Sequence, residues 1–309
     1  MAVLTDAQVG VFFDEKWDLE VNQALYGEAV SMPRILNKSS LVNGSGEIIH
    51  ITTRPRLAGG DVGSDGGFTS EQTTFTEVQV NVNTWKYVSQ EYTDKQSKQS
   101  IVSLEKELPS QFGERLAEFY DSDINDLILS ATGLDGVTVG AGIGSPGAPL
   151  SFIEPNALAA VLAIRRRSIK IENLSWLLSP ECYYLGWLTK ERMTNADKTG
   201  LPESVLTTNF RQKILNIPGY ESGLLNGTSC TDDSGASLNP ASGINVAGTT
   251  ACGLVHSDFA AIAMQFNNKY KKADATSAGR LATIIVAHTL YGLVVNRAKF
   301  AVPLYISNT

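Results

Sequence analysis

The feature that most constrains this chain is a pair of strand-type segments separated by a long glycine-rich stretch, residues 55–75. Residues 76–88 alternate: Val78, Val80 and Val82 fall on one face, and Glu77, Gln79, Asn81 and Asn83 on the other. That is the period-two signature of a half-buried strand. Trp85 and Tyr87 then occupy the face that began polar, so this face is expected to be covered toward the end of the strand. Residues 47–54 read as the partner strand, with Ile49 and Ile51 facing one way and His50 and Thr52 the other. Tight hairpins need only about two to five loop residues. The joining stretch is longer and carries Gly59, Gly60, Gly63, Gly66 and Gly67. The pattern predicts a two-stranded arm with a flexible tip projecting from the body. An isolated ribbon is marginal in water, so it must pack on something else.

The rest of the 309 residues has the means to form that body. At 43% hydrophobic and 18% charged residues the chain is neither disordered nor low-complexity. Its length suits one large domain or two interleaved ones. A net charge of −7 argues against a dedicated role in gripping phosphate backbones. Cys182, Cys230 and Cys252 form no CxxC pair; they read as reduced thiols, not as a zinc cluster or a disulfide framework. The first residues lack the basic and apolar regions of a signal peptide, and the apolar run 281–295 is shorter than the roughly 20 residues a bilayer span takes. A soluble intracellular product is expected, with no membrane partner.

The first 32 residues form an acidic arm, with Asp6, Asp14, Glu15, Asp18, Glu20 and Glu28 against Lys16 alone. Phe12, Phe13, Trp17, Val21, Leu25 and Tyr26 recur at helical steps, suggesting a short amphipathic helix over residues 14–28. Such an arm either docks on its own body or lies against a neighbour. Ile101, Leu104 and Leu108 mark a short helix, and Pro109 suits the first turn of a second one over 109–131, with Glu114, Arg115, Glu118, Asp121 and Asp126 on its polar side. After a Gly-rich crossover at 135–149, residues 155–167 read as a helix that bears Leu158, Val161 and Leu162 and ends in Arg165, Arg166 and Arg167. Residues 173–178 read as a buried strand, Ser179-Pro180 as the start of a helix, 257–264 as a further helix capped by Ser257, and 281–295 and 301–306 as a closing pair of strands.

Signals for catalysis are weak. His50 and His288 sit in strand patterns, and the cluster His256-Ser257-Asp258 is contiguous, whereas a triad converges from separate elements. Gly142-Ile143-Gly144-Ser145-Pro146-Gly147 matches G-x-G-x-x-G formally, but Pro146 breaks the strand-to-helix turn that a dinucleotide needs. Thr231-Asp232-Asp233-Ser234-Gly235 lacks the spaced ligands of a calcium loop. No enzyme activity, cofactor or metal is expected. Arg165, Arg166, Arg167 and Lys170 form the one basic patch, which either is a solvated helix end or meets an acidic neighbour.

The order of elements (acidic arm, ribbon, long helix, Gly-rich crossover, α/β unit, terminal strands) resembles the major capsid proteins of tailed bacteriophages, which have the Hong Kong-97 phage capsid fold. Phe75-Thr76-Glu77-Val78-Gln79-Val80-Asn81-Val82-Asn83-Thr84-Trp85-Lys86-Tyr87-Val88 looks like the return strand of that family's extended loop, and residues 101–129 like its spine helix. Residues 174–188 look like an axial-domain segment, and Tyr291-Gly292-Leu293-Val294-Val295-Asn296-Arg297 before Phe300-Ala301-Val302 like its closing strands. The resemblance implies an α+β fold with an N-terminal arm (1–32), a peripheral domain (33–134) bearing the extended loop (47–88) and spine helix (109–131), an axial domain (135–253), and return and closing strands (254–309). It implies a virion shell subunit, assembled in the host cytoplasm into hexamers and pentamers around DNA that it touches weakly. Portal, scaffold and decoration proteins would be its partners. Subunit contacts are then expected at Trp17, Arg54, Arg56, Gly59, Gly60, Asp61, Gly66, Phe68, Arg165, Arg166 and Arg167. A nanocompartment shell of the same fold and a soluble α/β hydrolase using His256 or His288 are the competing readings.

Overall fold

A computed structural model describes residues 21, 23, 25, 29–42, 48–53, 59–62, 66, 67, 75–93, 95, 104–129, 154–187, 214, 215, 217–225, 249–274 and 282–307. These form an α+β structure of two four-stranded sheets, one two-stranded ribbon and two α-helices. The first sheet has the order β1-β8-β9-β4, from Leu36–Asn37 (β1), Ala260–Asp274 (β8), Ala282–Val295 (β9) and Thr84–Thr93 (β4). The second has the order β10-β7-β5-β6, from Ala301–Ser307 (β10), Thr249–His256 (β7), Leu174–Leu178 (β5) and Gly219–Glu221 (β6). Ile48–Thr53 (β2) and Thr76–Asn81 (β3) make the ribbon, in antiparallel register with Ile49 opposite Val80 and Ile51 opposite Val78.

Helix α1 (Leu104–Leu129) organises the first core. Leu108, Phe112, Leu116, Tyr120, Ile124 and Ile128 recur every four residues and are buried. They meet Ile262, Met264, Ile285, Ala287 and Tyr291 of the first sheet, and Leu177, Val255 and Ala301 of the second. The sequence suggests that Pro109 opens a new helix; instead it lies inside α1. Close to the N-terminus a proline removes one intrahelical bond and fits the helical φ, and the continuous buried stripe through Leu108 and Phe112 outweighs that loss. Helix α2 (Glu154–Arg165) packs Ala157, Ala160, Ala163 and Ile164 against the opposite face of the second sheet, onto Leu174, Trp176, Leu254, Val302 and Leu304. The second sheet is thus covered on both faces: Ala301 and Val255 point to the first core, their neighbours Val302 and Leu254 to the second.

Two expected elements differ. The expected single strand over 76–88 is broken after Asn81, and its second half forms β4, an edge strand paired with β9 from Thr84 opposite Tyr291 to Thr93 opposite Ala282. The helix expected over 257–264 is absent. Residues 257–259 turn the chain from β7 into β8, so Ser257 caps no helix. Ala260, Ile262 and Met264 face α1 while Ala261 and Ala263 face the ribbon. A strand buried on both faces shows no polar alternation, and small alanines that favour a helix in isolation also let two layers approach one strand. The two closing strands are present but join different sheets, β9 the first and β10 the second. At Ser179 the expected helix start is found: its hydroxyl accepts the backbone N–H of Cys182 at 3.2 Å. The Gly-rich crossover at 135–149 and the loop 231–235 lie outside the described residues.

Candidate assembly surfaces

The ribbon is anchored at one end. Val42, Ile49, Val80 and Val82 pack on Ala261 and Ala263 of β8, joined by Leu290 and Val294 of β9. Gly292 makes that approach possible, because a Cβ built there would stand 2.2 Å from the carbonyl oxygen of Asn81 and 2.7 Å from its carbon. The outer face of the ribbon is polar. His50 Nδ1 lies 3.1 Å from Glu77 Oε2, and Gln79 donates to the other carboxylate oxygen. The Gln79 hydrogen bond, helped by His50, holds the Glu77 carboxyl below its ordinary range. Beyond the paired strands Gly59, Gly60, Asp61 and Gly66 are exposed, Gly66 with φ +78°, a backbone state that favours glycine. Val62 and Phe75 are also exposed. Arg54, Arg56 and Phe68 lie outside the described residues.

Beside the ribbon root, β4 presents Trp85 and Tyr87 on the ribbon side of the sheet. Sequence reading expects that face to be covered; instead Trp85 is 68% and Tyr87 66% exposed in the single chain. The Trp85 indole N–H donates to His288 Nδ1 at 3.3 Å, so the ring lies over the histidine and leaves its own outer surface to solvent. The α1 side of the same strand is closed: Lys86 reaches both carboxylate oxygens of Asp123 at 2.6 and 2.7 Å, and Tyr291 donates to Asp123 at 2.5 Å. Burial, with the neighbouring Asp123, pushes the Tyr291 hydroxyl far up.

Part of the acidic arm docks on its own body. Val21 and Leu25 are helical and buried with Ala29 and Met32 in the first core. The following turn is held by Asp121 of α1, whose carboxylate accepts the backbone N–H groups of Val30 (2.6 Å), Ser31 (2.9 Å) and Met32 (3.0 Å). Ser31 in turn donates to Asn125 at 2.8 Å. Sequence reading places Asp121 on the solvent side of the helix, yet it is only 3% exposed. Burial pushes its carboxyl up to about 6 against the opposing pull of the three donors. Its spacing from Asn125 is one helical turn, bordering the apolar stripe, and that pairing is the signal the sequence held. Trp17 lies outside the described residues.

The basic run ends α2. Arg165 and Arg166 are exposed, as is Lys170 beyond the turn, while Arg167 is half-buried. On the outer face of the same helix Leu158 and Leu162 are exposed.

The three histidines lie apart, each in a different sheet. His256 is buried at the end of β7, accepts the backbone N–H of Asp258 at 3.1 Å and meets the Phe300 ring edge-on at 5.0 Å. Burial lowers its pKa, with the Arg297 charge acting the same way. His288 belongs to the other sheet, under Trp85. Cys182 and Cys252 are buried and form no disulfide, and burial, with the neighbouring Cys182 thiol, pushes the Cys252 thiol well up. Among the described residues no three His, Cys, Asp or Glu side chains group as a metal site, and no helix is long and apolar enough to cross a membrane.

The fold has solved counterparts. A structure of Mycobacterium phage Che8 superposes with a TM-score of 0.66 at 17% identity, over 89% of this chain and 90% of that one. The capsid structure of the cyanophage P-SCSP1u gives 0.65 at 14% identity, over 91% and 89%. The mature capsid of bacteriophage PhiM1 gives 0.64 at 13%, over 90% and 86%. No protein-family model matches the sequence, and no curated protein does.

Proposed function

We propose that this chain is the major capsid protein of a tailed bacteriophage, assembling into the hexamers and pentamers of an icosahedral shell that encloses packaged DNA. The observation that carries the reading is the end-to-end likeness to capsid subunits, in which about nine-tenths of both chains take part. An insertion, a shared subdomain or a borrowed site would not produce coverage from both sides. In this reading residues 47–88 are the extended loop, α1 is the spine helix and the second sheet with α2 is the axial unit.

The single chain supports the same conclusion physically. A monomer gains nothing from a two-stranded ribbon with an exposed far end, nor from two large aromatics held in solvent on an edge strand. Both make sense where identical copies cover them. Trp85, Tyr87, Val62 and Phe75 join Gly59, Gly60, Asp61, Gly66, Arg54, Arg56, Phe68 and Trp17 as subunit-contact residues. The shell would face DNA without sequence preference, and portal, scaffold and decoration proteins would complete the particle.

Electron microscopy and sedimentation of the purified product test this. Closed shells are expected; a particle that stays monomeric at every concentration refutes the reading. Shells loaded with a protein cargo and no DNA in the producing cell would instead support a nanocompartment of the same fold. Replacing His256 and His288 with Ala is expected to leave assembly intact, and loss of a hydrolytic activity with unchanged particles would restore the enzyme reading.

A further inference from the structure

Building on the shell reading, we propose that the cations at the end of α2 are a docking patch for the acidic N-terminal arm, residues 1–20, of a neighbouring copy. The patch is assembled from two distant parts of the chain. The helix end supplies Arg165, Arg166 and Arg167 and the turn beyond it Lys170, and the 298–300 turn is held against them, since Arg167 Nη1 donates to the Lys299 carbonyl oxygen. Arg165 is tied down as well, donating to the Ile169 carbonyl at 3.3 Å.

The turn holding the cluster is strained. Ser168 has φ +59°, a left-handed conformation that helix ends ordinarily assign to glycine. Its N–H still bonds the Arg165 carbonyl at 2.9 Å. A side chain kept in that conformation within a cluster of like charges is the kind of local cost that marks a binding surface. The helix dipole favours cations at α2's end, but Lys170 lies beyond the helix. Glu172 is the carboxylate nearest in sequence and is exposed.

The chain supplies a matching partner. Residues 1–20 hold Asp6, Asp14, Glu15, Asp18 and Glu20 against Lys16, and Trp17 among them offers a ring face to a guanidinium. The occupant is the arm of another copy: the shell reading brings neighbours together, and the arm's own root lies across the second sheet from the patch. Val21 and Leu25 are buried in the first core, whereas α2 packs on the second, and the second sheet lies between them. A net charge of −7 disfavours DNA as the occupant of a patch this small.

The test uses a fluorescent peptide of residues 1–20, titrated into the full chain and followed by anisotropy. Expected is binding that weakens roughly tenfold or more in Arg166→Glu/Lys170→Glu and with rising salt, as screened charge pairing requires. A peptide carrying Asp14→Lys and Asp18→Lys should bind the charge-reversed chain, and the same four substitutions in one chain should restore shells that Arg166→Glu/Lys170→Glu alone prevents. Both target side chains are exposed, and circular dichroism verifies folding. Peptide binding and shells unchanged by Arg166→Glu/Lys170→Glu overturn the pairing and leave the shell reading intact. Duplex DNA bound through these cations in place of the peptide also overturns it. A wild-type chain that binds the peptide yet never assembles supports the pairing and removes the shell.

Discussion

Replacing Gly292 with Ala probes how the ribbon is aimed. The added Cβ would sit 2.2 Å from the Asn81 oxygen, 2.7 Å from its carbonyl carbon and 3.0 Å from Val82 Cα, all of them backbone atoms that no rotamer change can move. Relief requires the β3–β4 corner to retreat by about 1 Å, the shortfall from an ordinary van der Waals contact. Overpacking of this kind costs about 1–3 kcal/mol. The retreat also lifts Val80 and Val82 from Ala261 and Ala263; full exposure of one Val costs roughly 1.5 kcal/mol or more, and a partial lift of two adds about 1 kcal/mol. The total is about 2–4 kcal/mol, a fall in melting temperature of about 3–6 °C for a chain of this size. Urea and thermal unfolding of the unassembled chain measure it. Gly223, where an added Cβ meets nothing within 4 Å, is the control, and its Ala variant should match the wild type. A Gly292→Ala protein within about 0.5 kcal/mol of the wild type would refute the close approach as the determinant of ribbon position.

Three other outcomes follow from the same structure. Trp85→Ala with Tyr87→Ser should change the stability of the single chain by less than about 1 kcal/mol, since exposed side chains contribute little, while sedimentation shows assembly lost; normal shells would remove these residues from the interface. Asp121→Ala strands three N–H donors, two of them buried, and should destabilise the chain by about 3 kcal/mol. Because burial raises the Asp121 carboxyl from 3.8 to about 6, the native state binds its proton more tightly than the unfolded chain does. Wild-type stability therefore gains from this group below about pH 4 and loses that gain as pH rises toward about 6. Unfolding curves across that window should differ in slope between wild type and variant, and parallel curves would contradict the buried titration. Deleting residues 59–67 should leave a folded chain by circular dichroism but no closed shells; intact particles would exclude the ribbon tip from subunit contacts.

The legible parts of this fold are those whose pattern depends on one face. Val78, Val80 and Val82 alternate with polar residues because the ribbon is covered on one side only, and the stripe from Leu108 to Ile128 is visible because α1 buries a single face. The turn into β8 was hidden for the converse reason: Ala260 to Met264 is buried on both faces, so no polar residue marks its period. Asp121 was only half-signalled: its one-turn spacing from Asn125 is visible in the sequence, whereas its backbone N–H partners some 90 residues away leave no trace in residue type. Trp85 and Tyr87 announce a covered face, and the single chain leaves them bare; in the shell reading a neighbouring copy supplies the cover.

By itself, the amino-acid order determines the elements whose burial is periodic, the glycine-rich tip and the charge contrast between arm and helix end, since each is a local consequence of residue type and spacing. Tertiary structure decided which strands share a sheet, where β3 gives way to β4, and which glycine lets the ribbon root lie flat. Those outcomes rest on contacts between residues far apart in the chain, such as Asn81 with Gly292, and close packing at a distance of a few ångströms is a property of the folded surfaces together.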